Sequence, residues 1–457
     1  MPPCMRTALL LFALAIALSC SAQPPAHNPA VDAMVNAIQA ASIEARIRKL
    51  VSFRTRHTLS RTDSESVGIG AARRWIKSEL DACSRAAGGR LRVELDSFIQ
   101  PPARRVPQPV EIVNIVATLP GTQPQAANRI YVVSGHYDSI PSDVMDAESE
   151  APGADDDASG VAAVMEMACT MAFQRYDATL VFMAVAGEEQ GLLGSAHWAE
   201  LAKSKGWDIP GMISNDIIGS PTGADGRRHD AEVRLFANGL PALINAKSAE
   251  LEQIARSGGE NDTPTHQLGR YLKDTAERYV PGMTVRLIAR PDRFLRGSDH
   301  LSFLERGYPA VRFVEPAEDY RHQHKNVTVV NGVQEGDLPQ FVDFDYVAKV
   351  TRINAAGLAS LALAPAVPRE AGIEVVQLEN DTTLRWRAND EPDLAGYRIV
   401  WRAAGAPTWQ YSRDVGNVTR YTLKDISKDD YLFGVVALDR DGNASPAAFP
   451  RPWRPAP

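Results

Sequence analysis

Cysteine is scarce in this chain, with four in 457 residues, and two of them, Cys4 and Cys20, fall in an N-terminal stretch that reads as a leader. The other two, Cys83 and Cys169, are too few for a disulfide framework. An oxidising compartment would let them pair, yet Cys169 lies in a helical pattern where a small buried thiol is equally at home, so the sequence leaves the pairing open. A basic excess is also missing. The formal net charge is -7, so no positive field is available to hold phosphates, and nucleic acid is excluded as the expected partner. Long hydrophobic runs are lacking too: the one apolar run, ending at Leu18, falls short of the roughly 20 residues needed to cross about 30 Å of hydrocarbon. This disfavours a transmembrane anchor. Internal repeats and long low-complexity segments are absent, so nothing reads as a repeat array.

What is present is enough apolar residue for packing, 44% of the chain, and a length beyond the size at which one core stops growing, so two globular units are expected. Residues 1–22 have the layout of a secretory signal: Arg6, then the apolar run to Leu18, then the small residues of SCSAQ. Cleavage after Ala22 is the preferred reading and a secreted or periplasmic protein the expectation. Leu18-Ser19-Cys20 also loosely resembles a lipoprotein site, with Cys20 as the lipidated end.

Apolar residues at helical spacing predict helices over Val31 to Leu50 and Gly70 to Leu80. Extended segments then alternate with helices: Ile112 to Ala117, Ile130 to Ser134, a helix from Ser159 to Phe173, the strand Thr179 to Ala186, and a helix from Leu193 to Lys203. That alternation predicts an α/β fold with a mostly parallel central sheet flanked by helices, whose sites gather beyond the carboxyl ends of strands. A last helical pattern runs from Val342 to Leu363 and stops at APAVP. Beyond it the texture is of short strands, with alternation at Leu384 and Trp386, at Tyr397, Ile399 and Trp401, and from Tyr431 to Ala437. This predicts a small β-sandwich over residues 365–457, set against a first domain over residues 23–364. The sandwich resembles a fibronectin type III module, with Trp386 buried and Tyr431 in the tyrosine-corner position. Contact with a surface or polymer is one role for such a module, and a generic sandwich with no binding role is the other.

Chemistry concentrates in five residues in fixed order, each read as standing beside a predicted strand end: His136 in SGHYDS, Asp156 in PGADDDASG, Glu189 in AGEEQG, Asp216 in SNDIIG and His322 in YRHQHKN. Each motif alone is weak, because H-x-D, a Glu pair and an Asp run all have bland explanations. Together they supply the carboxylate oxygens and imidazole nitrogens that divalent zinc accepts.

In this conjunction the chain resembles the secreted di-zinc aminopeptidases of the bacterial leucine-aminopeptidase type, relatives of glutamate carboxypeptidase, over Val31 to Leu363. The resemblance is carried by G-H-x-D-S, P-G-A-D-D-D-A-S-G, G-E-E-x-G-L-x-G-S, N-D, S-D-H and a late histidine. It implies two zinc ions as cofactors and peptides as substrates. Asp156 would be shared by both ions, His136 and Asp216 would complete one, and Glu189 and His322 the other. Four positive charges against three carboxylates leave room for a bridging hydroxide as nucleophile, the usual two-metal division of labour. Glu188 follows a strand next to a ligand, so its side chain is expected to point elsewhere and to serve as the base, which is the role the resemblance gives it. Asp138, two residues beyond His136, would orient that imidazole through its far ring nitrogen.

The last ligand stays open between His322 and His324. The resembled family shows a histidine followed four positions later by Asp, and Asn326 stands at that distance from His322, a departure that leaves support for the imidazole in doubt. Ser298, Asp299 and His300 match the S-D-H segment and are read as a helix start without a catalytic role. His27, His57, His197, His229 and His266 lack motifs and read as surface or packing residues. The leading expectation is an exopeptidase that removes N-terminal residues. A carboxypeptidase or acylated-dipeptide hydrolase on the same metals is the alternative, with Arg290, Arg293 and Arg296 available for a terminal carboxylate. The complete ligand set argues against a single-zinc glutaminyl cyclase, and intact Glu188 against a degenerate enzyme kept for adhesion.

Overall fold

The helical pattern from Val31 to Leu50 is two helices in the computed structural model, which describes residues 27–239 and 248–455. α1 spans Pro29–Ala37 and α2 Ala40–Val51. No proline or glycine breaks them. The backbone turns extended at Ile38, and the Gln39 amide donates to Glu166 Oε1 at 3.0 Å. Arg46 of α2 pairs with the same buried carboxylate, so a tertiary contact supplies the cap that local sequence lacks. The leader, with its cleavage site, Cys4 and Cys20, lies outside the described residues. No helix among the described residues is long and apolar enough to cross a membrane.

After α3 (Ile69–Ala86) come the edge strand β1 (Arg92–Gln100), β2 (Val110–Leu119) and β3 (Arg129–His136). α4 (Ala158–Met171), β4 (Thr179–Val185), α5 (Leu193–Ser204) and β5 (Asp208–Asn215) follow. Next are β6 (Glu232–Phe236), α6 (Ser248–Arg256), α7 (Pro264–Tyr279), β7 (Thr284–Ile288), α8 (His300–Glu305) and β8 (Ala310–Val314). A short hairpin, β9 (Thr328–Val330) and β10 (Val333–Glu335), leads to α9 (Phe344–Leu363). Strands β1 to β8 form one sheet in the order β1-β2-β4-β3-β5-β8-β6-β7.

Its centre, β4-β3-β5-β8, is parallel, and both flanks carry antiparallel pairings, β1 with β2, β2 with β4, and β6 with β8. The sheet is mixed but mostly parallel, as the sequence predicted, since β6 and β7 also pair in parallel. β4 is buried along its whole length and β3 along nearly all of it, because α4 and α9 cover one face while α5 and α8 cover the other. Covered on both faces, such strands read as continuous apolar runs without alternation. Cys83 of α3 and Cys169 of α4 form a disulfide, Cα to Cα 5.1 Å, which closes the question the sequence left open.

The C-terminal strands make two small sheets. One, in the order β15-β12-β11-β17, holds Arg420–Leu423, Thr382–Arg387, Arg369–Glu374 and Arg451–Trp453. The other, β14-β13-β16, holds Tyr411–Gly416, Leu394–Ala403 and Tyr431–Asp439. Leu384 and Trp386 from the first meet Ile399, Phe433 and Val435 from the second in one apolar core. The tyrosine that ties back to the backbone is Tyr397, whose hydroxyl accepts from the Asn389 amide at 2.8 Å; Tyr431 instead meets Tyr411 edge-on. The two parts of the chain are joined by buried charge. Asp262 receives Arg270 of α7 at 3.0 Å and Arg402 of β13 at 2.6 Å, and Arg129 of β3 meets Glu391 at 3.0 Å.

Candidate metal centre

The parallel strands deliver their carboxyl ends to one side of the sheet, and the motif residues sit there. His136 is the last residue of β3, Asp216 follows β5 directly, and Glu188 and Glu189 lie just past β4. Asp156 is brought in by the loop that starts α4. That loop is held from several directions. Asp337 accepts the amides of Asp155 and Asp156 at 2.8 and 2.7 Å, and Asp157 caps α4 through Gly160 N while accepting His136 N at 2.9 Å.

Two groups of candidate ligand atoms result, each within 4.8 Å: His136, Glu188 and Asp216, and Asp156, Glu189 and His324. Asp156 joins them. Its Oδ1 is 3.0 Å from His136 Nε2 and its Oδ2 is 2.8 Å from His324 Nε2. His324 Nε2 also lies 3.0 Å from Glu189 Oε1. The expectation of His322 in this place is corrected by the geometry. Its ring stacks on Phe341 with centroids 3.7 Å apart, and its Nε2 points toward Asp319 at 3.9 Å. His324 takes a left-handed backbone, φ 50°, a conformation in which histidine is enriched among non-glycine residues, and this turns its ring inward. Glu188 also departs from expectation in part: its carboxylate goes to a different group from that of Glu189, but stays close to His136 and Asp216 rather than apart from them.

Whether these residues suit a cation can be read from proton positions. The backbone carbonyl of Asp138 lies 3.1 Å from His136 Nδ1, and a carbonyl only accepts, so Nδ1 carries a hydrogen and Nε2, 3.0 Å from Asp156 Oδ1, is the nitrogen left to take either a proton or a metal ion. An imidazole nitrogen that close to a carboxylate calls for positive charge between them, and a bound cation supplies it in place of the proton. Glu189 Oε1 is likewise buried without a hydrogen-bond partner despite its nearness to His324. Separations near 3 Å are what two ligands of one zinc show, since zinc–nitrogen and zinc–oxygen bonds are about 2.0–2.2 Å. The field agrees. Burial alone would pull the imidazole of His324 down, but Glu189 and Asp156 push it up to about 11. Burial is also opposed at His136, where Glu188, Asp138 and Asp156 hold the ring well above the usual histidine value. Burial, with Glu189, Asp216 and Asp299 close by, raises the carboxyl of Glu188 well above its ordinary range. The cluster thus favours positive charge, and its nitrogen and oxygen donors fit zinc.

Support for these groups comes from Asp138 and from two arginines, Arg56 and Arg312, that the sequence motifs do not mark. Asp138 acts on the glutamates as well as on His136: its carboxylate accepts the amides of Glu188 and Glu189 at 3.3 and 3.1 Å and the Thr58 hydroxyl at 3.0 Å. Arg312 of β8, fully buried, contacts Asp216 Oδ1 at 2.8 Å and Asp292 Oδ2 at 2.8 Å. Arg56, also fully buried, donates to the carbonyls of Tyr137, Pro152 and Gly153 and ties the His136 loop to the Asp156 loop. Burial draws its pKa down to about 10. No motif surrounds either arginine; an arginine inside an otherwise apolar strand, as in AVRFV, was the available hint. His57, expected as an ordinary residue, is buried, with Nε2 2.9 Å from the Val144 carbonyl. Asp299 begins α8 without capping it through its side chain.

The sequence profile of peptidase family M28 matches residues 114–331. The chain is 46% identical over 428 residues to a probable zinc metalloprotease of Leptosphaeria maculans, covering 94% of this chain and 98% of the relative. It is 44% identical over 430 residues to a probable zinc metalloprotease of Pyrenophora teres f. teres, covering 94% and 88%. Among solved structures, LapB from Legionella pneumophila superposes with a TM-score of 0.51 at 19% identity, over 74% of this chain and 76% of that one. The LapA aminopeptidase of the same bacterium gives 0.51 at 18%, over 74% and 76%. At such identities the structural likeness speaks for the fold, whereas the sequence relatives speak for the family. This chain belongs to peptidase family M28 and is with it a zinc metallopeptidase, a hydrolase acting on peptides.

Proposed function

We propose that the protein is a di-zinc exopeptidase that removes N-terminal residues from peptides outside the cytoplasm. The observation that carries the reading is the division of Asp156 between two imidazoles, Oδ1 toward His136 and Oδ2 toward His324, as a carboxylate shared by two ions requires. His136, Asp216 and Asp156 would hold one ion, and Asp156, Glu189 and His324 the other. When bound, such ions activate water and polarise the scissile carbonyl. The chain's own residues supply the rest. Glu188, at the cleft wall, takes a proton at its carboxylate and returns it to the leaving amine. Asp138 holds the Glu188 and Glu189 amides, so both side chains start from a fixed backbone. Arg312 neutralises one oxygen of Asp216 and limits that residue to its other oxygen. The cleft over these groups has a volume of about 350 Å³, at the small end of ligand sites, roughly 300–1,000 Å³, which suits a chain end more than the middle of a folded substrate.

Export is supported by the Cys83–Cys169 disulfide, since such bonds persist chiefly in oxidising compartments. A soluble exported form is proposed, with lipidation at Cys20 the alternative. The deciding experiment is an assay of zinc-loaded protein on matched peptides with free, N-acetylated and C-terminally amidated ends, together with metal analysis. Release of N-terminal residues from free-amine peptides alone, at two zinc ions per chain, is expected. Cleavage confined to blocked peptides or to the carboxyl end would move the function to the carboxypeptidase or acylated-dipeptide class.

A further inference from the structure

The cleft is acidic only where the cluster itself lies. Among the described residues, every carboxylate that lines it, Asp156, Glu188, Glu189 and Asp216, belongs to the two groups of candidate ligands. Three arginines line it as well. Arg293 is committed internally, to Glu318 and to Asp292. Arg105 and Arg296 are not, and neither forms an ion pair among the described residues. The Nη1 of Arg105 donates to the Glu189 backbone carbonyl at 2.6 Å, which anchors the guanidinium at the cleft and leaves its charge unanswered. Arg296 is exposed, with Nη1 3.4 Å from His324 Nδ1 and its guanidinium 6.0 Å from the Tyr320 ring centre.

With His324 Nε2 facing Asp156 and Glu189 as a ligand nitrogen, Nδ1 must carry the hydrogen, and beside it stands an arginine N–H, which also only donates. Two donors share one place and, among the described residues, no acceptor answers them there. Asn326, the residue that departs from the resembled pattern, does not help, because its Oδ1 accepts the Ser142 amide at 3.1 Å. Once the ions offset the cluster's carboxylates, the remaining charge of the cleft is that of the two uncommitted arginines. Guanidinium groups match carboxylates in shape and bind them through paired hydrogen bonds.

We infer that Arg105 and Arg296 form a recognition site for a carboxylate carried by the substrate, either the free α-carboxylate of a short peptide or an acidic side chain next to the scissile bond. The inference rests on reading the cleft as the peptidase site. It makes both arginines specificity-determining residues. The preferred substrate is a short or acidic peptide whose ammonium end meets the acidic cluster and whose carboxylate meets the rim.

The test is binding rather than turnover. A leucyl-glycine analogue with a reduced, uncleavable bond is titrated calorimetrically into zinc-loaded protein, as free acid and as C-terminal amide. The acid should bind about tenfold tighter, the usual scale for a charge-assisted contact. Arg105→Gln and Arg296→Gln should each shrink that ratio to below about threefold, whereas Arg290→Gln, whose side chain lies over Phe294 rather than in the cleft, should keep it. Amidated leucyl-glutamate and leucyl-glutamine analogues form a second pair, and whichever pair discriminates names the source of the carboxylate. Equal binding of acidic and neutral partners in both pairs overturns the inference, as does a ratio that survives both substitutions. Tight, arginine-dependent binding by a protein that hydrolyses no peptide would keep the inference and remove the peptidase reading instead.

Discussion

His324 places its Nε2 2.8 Å from Oδ2 of Asp156, while His322, two residues earlier, is stacked on Phe341. The two histidines therefore predict opposite outcomes on substitution. His324→Ala should lower zinc content from about two toward one per chain and cut peptide hydrolysis by about two orders of magnitude or more. His322→Ala should keep its metal and lose only about 1 kcal/mol of stability through the missing ring contact. Metal analysis by mass spectrometry alongside denaturant titration distinguishes them. Loss of zinc from the His322 variant alone would reverse the assignment.

Glu188 reaches the cleft from a backbone pinned by Asp138. If it carries the proton, Glu188→Gln, nearly the same shape, should retain zinc and substrate binding while kcat falls by about 10²–10⁴-fold. Steady-state kinetics on a free-amine substrate measures this. A variant with wild-type kcat would take the residue out of that role.

At the junction of the two parts, burial, with Arg270 and Arg402 nearby, lowers His266 to about 4. The folded state thus holds this ring neutral while the unfolded chain protonates it near its ordinary value of about 6.5. Stability from this group is complete above about pH 6.5 and is lost as the pH falls toward 4, on the order of 3 kcal/mol at the lower end. His266→Gln should flatten that part of the stability profile. Unfolding free energies at pH 7.5, 5.5 and 4.5 provide the comparison, and parallel profiles for variant and wild type would show that the ring titrates alike in both states.

Asp262 is shared by Arg270 and Arg402 inside that junction. Removing one arginine leaves a buried carboxylate undercompensated, so Arg402→Met should destabilise the whole protein by about 3 kcal/mol. The loss should be seen in a single unfolding transition, because the ion triad couples the C-terminal sheets to α7. Two separated transitions in the wild-type protein, with the first alone sensitive to this change, would show that the two parts unfold independently.

The sequence by itself determined the chemistry on offer and the order in which it is delivered. Strand patterns ending at His136 and Asp216, glycine-flanked Glu188 and Glu189, and the aspartate run at Asp156 are local features, and local spacing is enough to read them. The apolar texture likewise determined an α/β layer followed by a β-sandwich. Tertiary structure alone decided which histidine joins the cluster, because His322 and His324 lie in one irregular loop, where the left-handed backbone of His324 turns its ring to Asp156 while the ring of His322 meets Phe341. It also decided the split between α1 and α2, set by Glu166 from a distant helix, the pairing of Cys83 with Cys169, and the work of Arg56 and Arg312. Their partners are carbonyls and carboxylates far away in the chain. Buried charge is stabilised only by neighbours the fold assembles, and no spacing along the sequence encodes that.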